Sequence, residues 1–278
     1  MLKLLTTSVL LACPLIACAQ FLDNPRDSIS AFIHKAVTGG ELVSSESDMA
    51  KATVRLEFIS SNDTDKPDSF PCSGTLIARD LVLTAAHCLV DLHNPKNKTL
   101  KVAAYLSQEE PIPGASWLLD SEYAEVPDAS GERLIEVHDI ALVKLEIPVD
   151  QSAVIAEIPD EEMTKGSSLD VVLAGFGQTD WKDKNSFGLL RSANVTGVME
   201  TMKTASGSDH QIKLSGHQPC NGDSGGPVYQ IKGEQLILLG VTSYGLINCS
   251  ANGHAISVWH HLPWIRDAAK QLRSTSDI

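Results

Sequence analysis

The chain reads as all-β, a sandwich or barrel architecture, on two observations. Short alternating or wholly apolar runs recur along most of its 278 residues, and Gly, Pro, Asn and Asp punctuate them. The length suits one large β domain or two small barrels, and either has room for a buried core.

The predicted strands follow in order. Residues 52–59 alternate Val54, Leu56 and Phe58 with Arg55 and Glu57, as a half-buried strand does. Residues 74–78 and 81–84 are short apolar runs separated by Arg79-Asp80, and 100–106 and 140–145 complete a first set. A second set covers 169–174, 192–198, 227–230, 236–242 and 255–259. At 262–272 the apolar spacing becomes helical, which predicts a helix at the end of the fold. No internal repeat or low-complexity tract is visible.

Residues 1–19 read as a secretory signal: Lys3, an apolar run over 4–17 broken by threonines and Pro14, then small residues. The run is too short and too interrupted for a membrane anchor. Ala17-Cys18-Ala19 fits release before Gln20, which makes a secreted, extracellular or periplasmic protein the preferred reading. Leu15-Ile16-Ala17-Cys18 also resembles a bacterial lipobox, and lipidation of Cys18 would tie the chain to a membrane. Residues 20–36, with Asn24-Pro25-Arg26-Asp27, look like a pro-segment. Asn62, Asn97, Asn194 and Asn248 match the glycosylation acceptor pattern.

The formal net charge is -13, and runs such as Asp160-Glu161-Glu162 and Glu109-Glu110 read as solvated surface. Nothing resembles a basic stripe, which argues against nucleic acid as a partner. Two of the six cysteines fall in the signal, leaving an even number for disulfides in an oxidising compartment. A zinc site from Cys72, His87 and Cys88 is disfavoured, because adjacent residues rarely point into one tetrahedron.

Chemistry concentrates in Gly222-Asp223-Ser224-Gly225-Gly226-Pro227. Glycines at this density permit positive φ and let amides converge on one point. That suits a serine nucleophile beside an oxyanion site. A base and an orienting acid are available upstream. His87 ends the apolar run Leu83-Thr84-Ala85-Ala86, and Asp139 heads the strand-like Ile140-Ala141-Leu142-Val143.

These segments, in the order His, Asp, Ser, resemble the chymotrypsin/trypsin family of serine endopeptidases. Ala174-Gly175-Phe176-Gly177, Ser243-Tyr244-Gly245 and Trp264-Ile265 resemble further family segments, with Phe176 and Tyr244 replacing tryptophans. The similarity runs from about 37 to about 273. It implies two packed six-stranded Greek-key β-barrels, over about 37–155 and 156–261, and a C-terminal helix over 262–273, within a peptidase domain of 37–278.

The resemblance also implies roles. Ser224 attacks a peptide carbonyl, His87 transfers the proton, Asp139 orients His87 and Ser243 supports Asp139. The amides of Gly222 and Ser224 form the oxyanion hole. Disulfides pair Cys72 with Cys88 and Cys220 with Cys249. Val37-Thr38-Gly39-Gly40 resembles the mature N-terminus of the family, so cleavage before Val37 would free an amino group to pair with Asp223. A tryptic cut would instead fall after Lys35, which leaves the activating protease open. Gln218 would form the floor of the substrate pocket, with Gly245 and Gly253 as its walls. An uncharged floor argues against cleavage after Arg or Lys and for neutral, large side chains. Asn221 and His217 flank the site.

The implied partners are protein or peptide substrates, an activating protease and protein inhibitors; no cofactor is implied, and calcium binding by a family-style loop around Glu109-Glu110 is left open. His34, His93, His138, His210, His254, His260 and His261 read as solvated or locally bonded histidines. The competing function is a catalytically silent protease homologue acting as a binding module. An esterase elbow is disfavoured by Pro227 and by the upstream positions of His87 and Asp139.

Overall fold

The computed structural model describes residues 36–60, 69–90, 100–106, 110–128, 131, 134–183, 186–203, 208–246, 248–251 and 253–274. The signal over 1–19, Cys18, residues 20–35 of the pro-segment, Asn62, Asn97, His34, His93 and Glu109 lie outside them. Among the described residues no helix is long and apolar enough to cross a membrane.

Among the described residues, fifteen strands carry the fold: β1 (Glu41–Leu42), β2 (Thr53–Ser60), β3 (Ser69–Ala78), β4 (Leu81–Thr84), β5 (Leu100–Tyr105), β6 (Ile112–Leu119), β7 (Ala124–Pro127), β8 (Leu134–Val137), β9 (Ala141–Leu145), β10 (Ser168–Gly175), β11 (Arg191–Lys203), β12 (Ser208–Gly216), β13 (Pro227–Lys232), β14 (Gln235–Thr242) and β15 (Gly253–Ser257). Among the described residues, two helices of five or more residues join them, α1 (Asp48–Ala52) and α2 (Leu262–Ser274). The Ser47 hydroxyl caps α1 by accepting the Ala50 N–H at 3.2 Å. Along α2, Leu262, Ile265, Ala268 and Leu272 recur at helical spacing and are all buried.

The first barrel closes in the order β2-β3-β4-β9-β6-β5. The second closes through β11-β10-β13-β14-β15-β12, because the long β11 pairs with β12 as well as β10. Both are antiparallel throughout, and closure removes the exposed edges that a sheet would otherwise present.

Alternation explains the strands that were legible in sequence. On β2, Val54, Leu56 and Phe58 point inward and are fully buried. The strands at β6 and β12 were not anticipated. Pro113 and Gly114 make β6 look like a turn, and β12 buries Asp209 and Gln211 beside Ile212 and Leu214. Tyr229 of β13, with Leu238 and Val241 of β14, packs into the same core as Val54, Leu56 and Leu76. The two barrels thus share a seam, and the Tyr229 and Thr53 hydroxyls meet there at 3.3 Å. The catalytic candidates come from strand ends and turns along this seam.

Candidate active site

His87 sits in a single 3-10 turn, Ala86–Cys88, directly after β4. Asp139 lies between β8 and β9, and its carboxylate is completely buried. One oxygen, Oδ1, accepts the His87 backbone N–H at 2.8 Å, while Oδ2 lies 2.7 Å from His87 Nδ1. The Ser243 hydroxyl also donates to Oδ2. With Nδ1–H directed at the carboxylate, Nε2 is the nitrogen left to act as a base.

Ser224 faces the same cleft as His87. The cleft encloses about 260 Å³, and its lining includes His87, Glu136, Asn221, Ser224, Ser243 and Gly245. The turn carrying Ser224 is clamped from the first barrel. Ser73 N–H donates to the Ser224 carbonyl at 2.7 Å, and the Ser73 hydroxyl donates to the Gly222 carbonyl at 2.8 Å. Gly222 and Gly225 have φ of 91° and 78°, which only glycine adopts readily. A Cβ on Gly225 would also lie 2.0 Å from the Thr84 hydroxyl.

Asp223 points away from the cleft into the second barrel. Its carboxylate accepts the N–H groups of Gly177 and Cys220, at 2.8 and 2.9 Å, and that of Val37. Gly175 and Gly177 make room for it, since a Cβ on either would approach within 2.2 to 2.6 Å of the carboxylate. Burial pushes the Asp223 carboxyl up to about 7, against the pull of those amides.

The pocket residues separate. Gly245 lines the cleft, whereas Gln218 and Gly253 are not among the lining residues. Gln218 is buried, and its amide is consumed internally. Nε2 donates to the carbonyls of Gly216 and Leu214 at 3.2 and 3.4 Å, and Oε1 accepts the Gly253 N–H at 2.8 Å. Gln218→Asp is therefore expected to destabilise the protein, because it sets a carboxylate against two carbonyls, and not to create a pocket for Arg or Lys. Urea unfolding and peptide cleavage by this variant check both halves. Asn221 lines the cleft and donates to Gln178 at 2.8 Å, while His217 lies outside, bonded to the Thr38 carbonyl.

Two disulfides brace the site, Cys72–Cys88 at the His87 turn and Cys220–Cys249 at the Ser224 turn. Both sulfurs near His87 are spent in a covalent bond, which removes the Cys72, His87, Cys88 cluster as a metal site.

Glu136 was missed in sequence. It lies on β8 in the cleft wall, with Oε1 3.8 Å from His87 Nδ1 and Oε2 3.5 Å from the Ser243 hydroxyl. Its strand alternates buried Ile135 and Val137 with Glu136, so period two marks it as solvent-facing; the solvent it faces is that of the cleft. Burial raises its carboxyl to about 7, opposed by the charge on His87. For His87 burial lowers the pKa, but Asp139 by charge and hydrogen bond, then Glu136 and Glu125 by charge, outweigh it and push the pKa up to about 9. His87 can serve as a base only after losing that proton, so kcat/KM should rise with pH on an alkaline limb. Glu136→Gln is expected to move that limb down by about 1 pH unit, as a pH–rate profile would show.

Two antiparallel six-stranded barrels, with a His–Asp–Ser hydroxyl chain and a glycine-flanked serine at their seam, define a serine-protease-like architecture. The trypsin family model matches residues 43–265, and the chain belongs to that family. It is also similar to Phenoloxidase-activating factor 3 of Holotrichia diomphalia, at 28% identity over 243 residues, covering 76% of this chain and 67% of the relative.

Proposed function

We propose that the protein is an exported serine endopeptidase that works through His87, Asp139 and Ser224 and is activated by cleavage before Val37. The observation that carries this reading is the bonded set of His87, Asp139 and Ser243, opening on the cleft that Ser224 lines. In the first step the Ser224 oxygen bonds to the substrate carbonyl carbon while its proton passes to His87 Nε2. The carbonyl π pair moves to oxygen, where the amides of Gly222 and Ser224 stabilise it. The C–N bond then breaks as His87 returns the proton to the leaving amine. Water hydrolyses the remaining acyl ester by the same route, and Ser224 recovers its proton.

Two features support activation at Val37. Its amide nitrogen already lies on the Asp223 carboxylate, and the side chain is completely buried. Its φ is 42°, an outlier for a β-branched residue. Cutting the bond before Val37 removes the preceding carbonyl that makes this φ strained. It also turns the amide into an ammonium facing a buried carboxylate.

Gln218 sets no carboxylate behind the cleft, and its amide is bonded inside the fold, which supports cleavage after neutral residues, while Glu136 lines the cleft beside His87. The test is to profile peptide cleavage by the form that begins at Val37, with Ser224→Ala as control. Hydrolysis that survives Ser224→Ala would overturn the mechanism, and a strong preference for Arg or Lys before the cut would overturn the pocket reading.

A further inference from the structure

Seven histidines beyond His87 carried no function in the sequence, and His138 and His261 depart from the expectation of solvated or merely local positions. Both are buried, and they meet across the seam, His138 from the turn before β9 and His261 from the turn before α2. Asp120, which follows β6, and Asp209 on β12 are buried around them.

The orientation of His261 is fixed. Its Nδ1 lies 2.9 Å from the Ser257 carbonyl, which can only accept, so Nδ1 carries a proton and Nε2 is the nitrogen turned inward, with a lone pair in the neutral ring. That Nε2 faces His138 Nδ1 at 3.3 Å, Asp209 Oδ1 at 3.7 Å and Asp120 Oδ2 at 3.9 Å. The two carboxylate distances are too long for hydrogen bonds. They are close to the edge of a coordination tetrahedron, about 3.4 Å for ligands about 2.1 Å from a zinc-type ion. The ligating atoms of Asp120, His138 and His261 all lie within 4.8 Å of one another.

The surroundings resemble an outer shell. A metal-bound imidazole commonly donates its other N–H to a carbonyl, as His261 does to Ser257. Asp120 Oδ1 accepts the Glu122 N–H at 3.0 Å, which leaves Oδ2 for the imidazoles. Asp209 is occupied elsewhere: Oδ2 accepts from the His138 N–H and Gln211, and Oδ1 from the His210 N–H. Glu122, half exposed, brings Oε2 within 3.8 Å of His138 Nδ1 and can complete the set. A cavity of about 510 Å³, lined by Asp120, Glu122, His138, His261 and Trp264 among others, connects the cluster to solvent.

We propose that Asp120, His138 and His261, with Glu122 or water as the fourth ligand, bind one divalent transition-metal ion of the zinc type. Two imidazoles and carboxylate oxygen suit zinc, cobalt or nickel better than calcium or magnesium. The ion clips the first barrel to the second, because Asp120 and His138 belong to one and His261 follows the last strand of the other. It also anchors the backbone next to Asp139: His138 has a φ of 51°, uncommon outside glycine, and its carbonyl accepts the Ile140 N–H at 2.8 Å. The role is structural, a brace on the turn that presents Asp139.

The test uses the full chain carrying Ser224→Ala, which prevents self-digestion and makes the readout independent of catalysis. After chelation, zinc is titrated by calorimetry and counted by elemental analysis, and cobalt is added for its d–d absorption. One equivalent of zinc should bind, with a tetrahedral cobalt spectrum and a rise in melting temperature. Asp120→Asn, nearly isosteric, should weaken binding by about 100-fold or more, beyond the loss typical of an outer-shell change, and His261→Ala should abolish it. His87→Ala should bind as the parent does. Binding that survives in folded Asp120→Asn, or that disappears with His87→Ala, would overturn the proposal. So would the absence of saturable binding, which would leave His138 and His261 as a hydrogen-bonded pair only.

Discussion

Replacing Ser224 by alanine is expected to lower kcat for peptide hydrolysis by about 10⁶-fold, the scale on which triad members act. The fold should hardly notice. Ser224 is tied into the structure through its carbonyl, which accepts the Ser73 N–H at 2.7 Å, and alanine keeps that bond. Its melting temperature should stay within about 2 °C of the parent, less than a change of 1 kcal/mol would produce in a chain this size. Residual turnover should still exceed the uncatalysed rate by about 10³–10⁴, because the amides of Gly222 and Ser224 and the binding cleft remain. Adding His87→Ala to Ser224→Ala should cost almost nothing more, since the two act as one unit. A loss of less than about 100-fold from Ser224→Ala alone would place the nucleophile elsewhere.

Cleavage before Val37 should raise activity by about 10²–10³-fold, the worth of an oxyanion donor that becomes correctly placed. Asp223→Asn should hold the cleaved chain at the level of the intact one. A linked pH effect follows from the carboxyl itself. In the intact chain burial holds Asp223 at about 7, and the groups facing it are the amides of Cys220, Gly177 and Val37 and the bare Cα atoms of Gly175 and Gly177. Between about pH 4 and 7 the folded chain therefore keeps a proton that the unfolded chain has released. Stability of the intact chain should fall as pH rises through that window, by up to on the order of 4 kcal/mol. Cleavage reverses the sign, because the new ammonium holds the carboxylate ionised and its stabilisation persists at neutral pH. Urea unfolding of the intact Ser224→Ala chain at pH 4.5 and 7.5, with and without Asp223→Asn, measures the effect. An equal slope in both chains would refute it.

Much of this was legible in the residues. The glycine-rich turn around Ser224, the turn at His87 and the position of Asp139 at the head of a strand could be read directly. Closure into two barrels could not, because alternation tells which residues of β11 face inward but not that one strand pairs with both β10 and β12. Glu136 escaped notice because a polar residue on an outward strand face is ordinary until a neighbouring barrel turns that face into a cleft wall. Gln218 shows the opposite limit. Its place six residues before Ser224 suggested a pocket floor, yet its amide is bonded to the carbonyls of Leu214 and Gly216 and does not line the cleft. His138 and His261 lie far apart in sequence, and only the seam brings their rings together.

The most direct measurement is to label the chain that begins at Val37 with a fluorophosphonate and map the adduct by mass spectrometry. The expected result is a single adduct on Ser224, strongly reduced in the intact chain and lost in His87→Ala. A correctly processed, folded chain that takes no label at Ser224 would contradict the assignment and leave a protease fold used for binding.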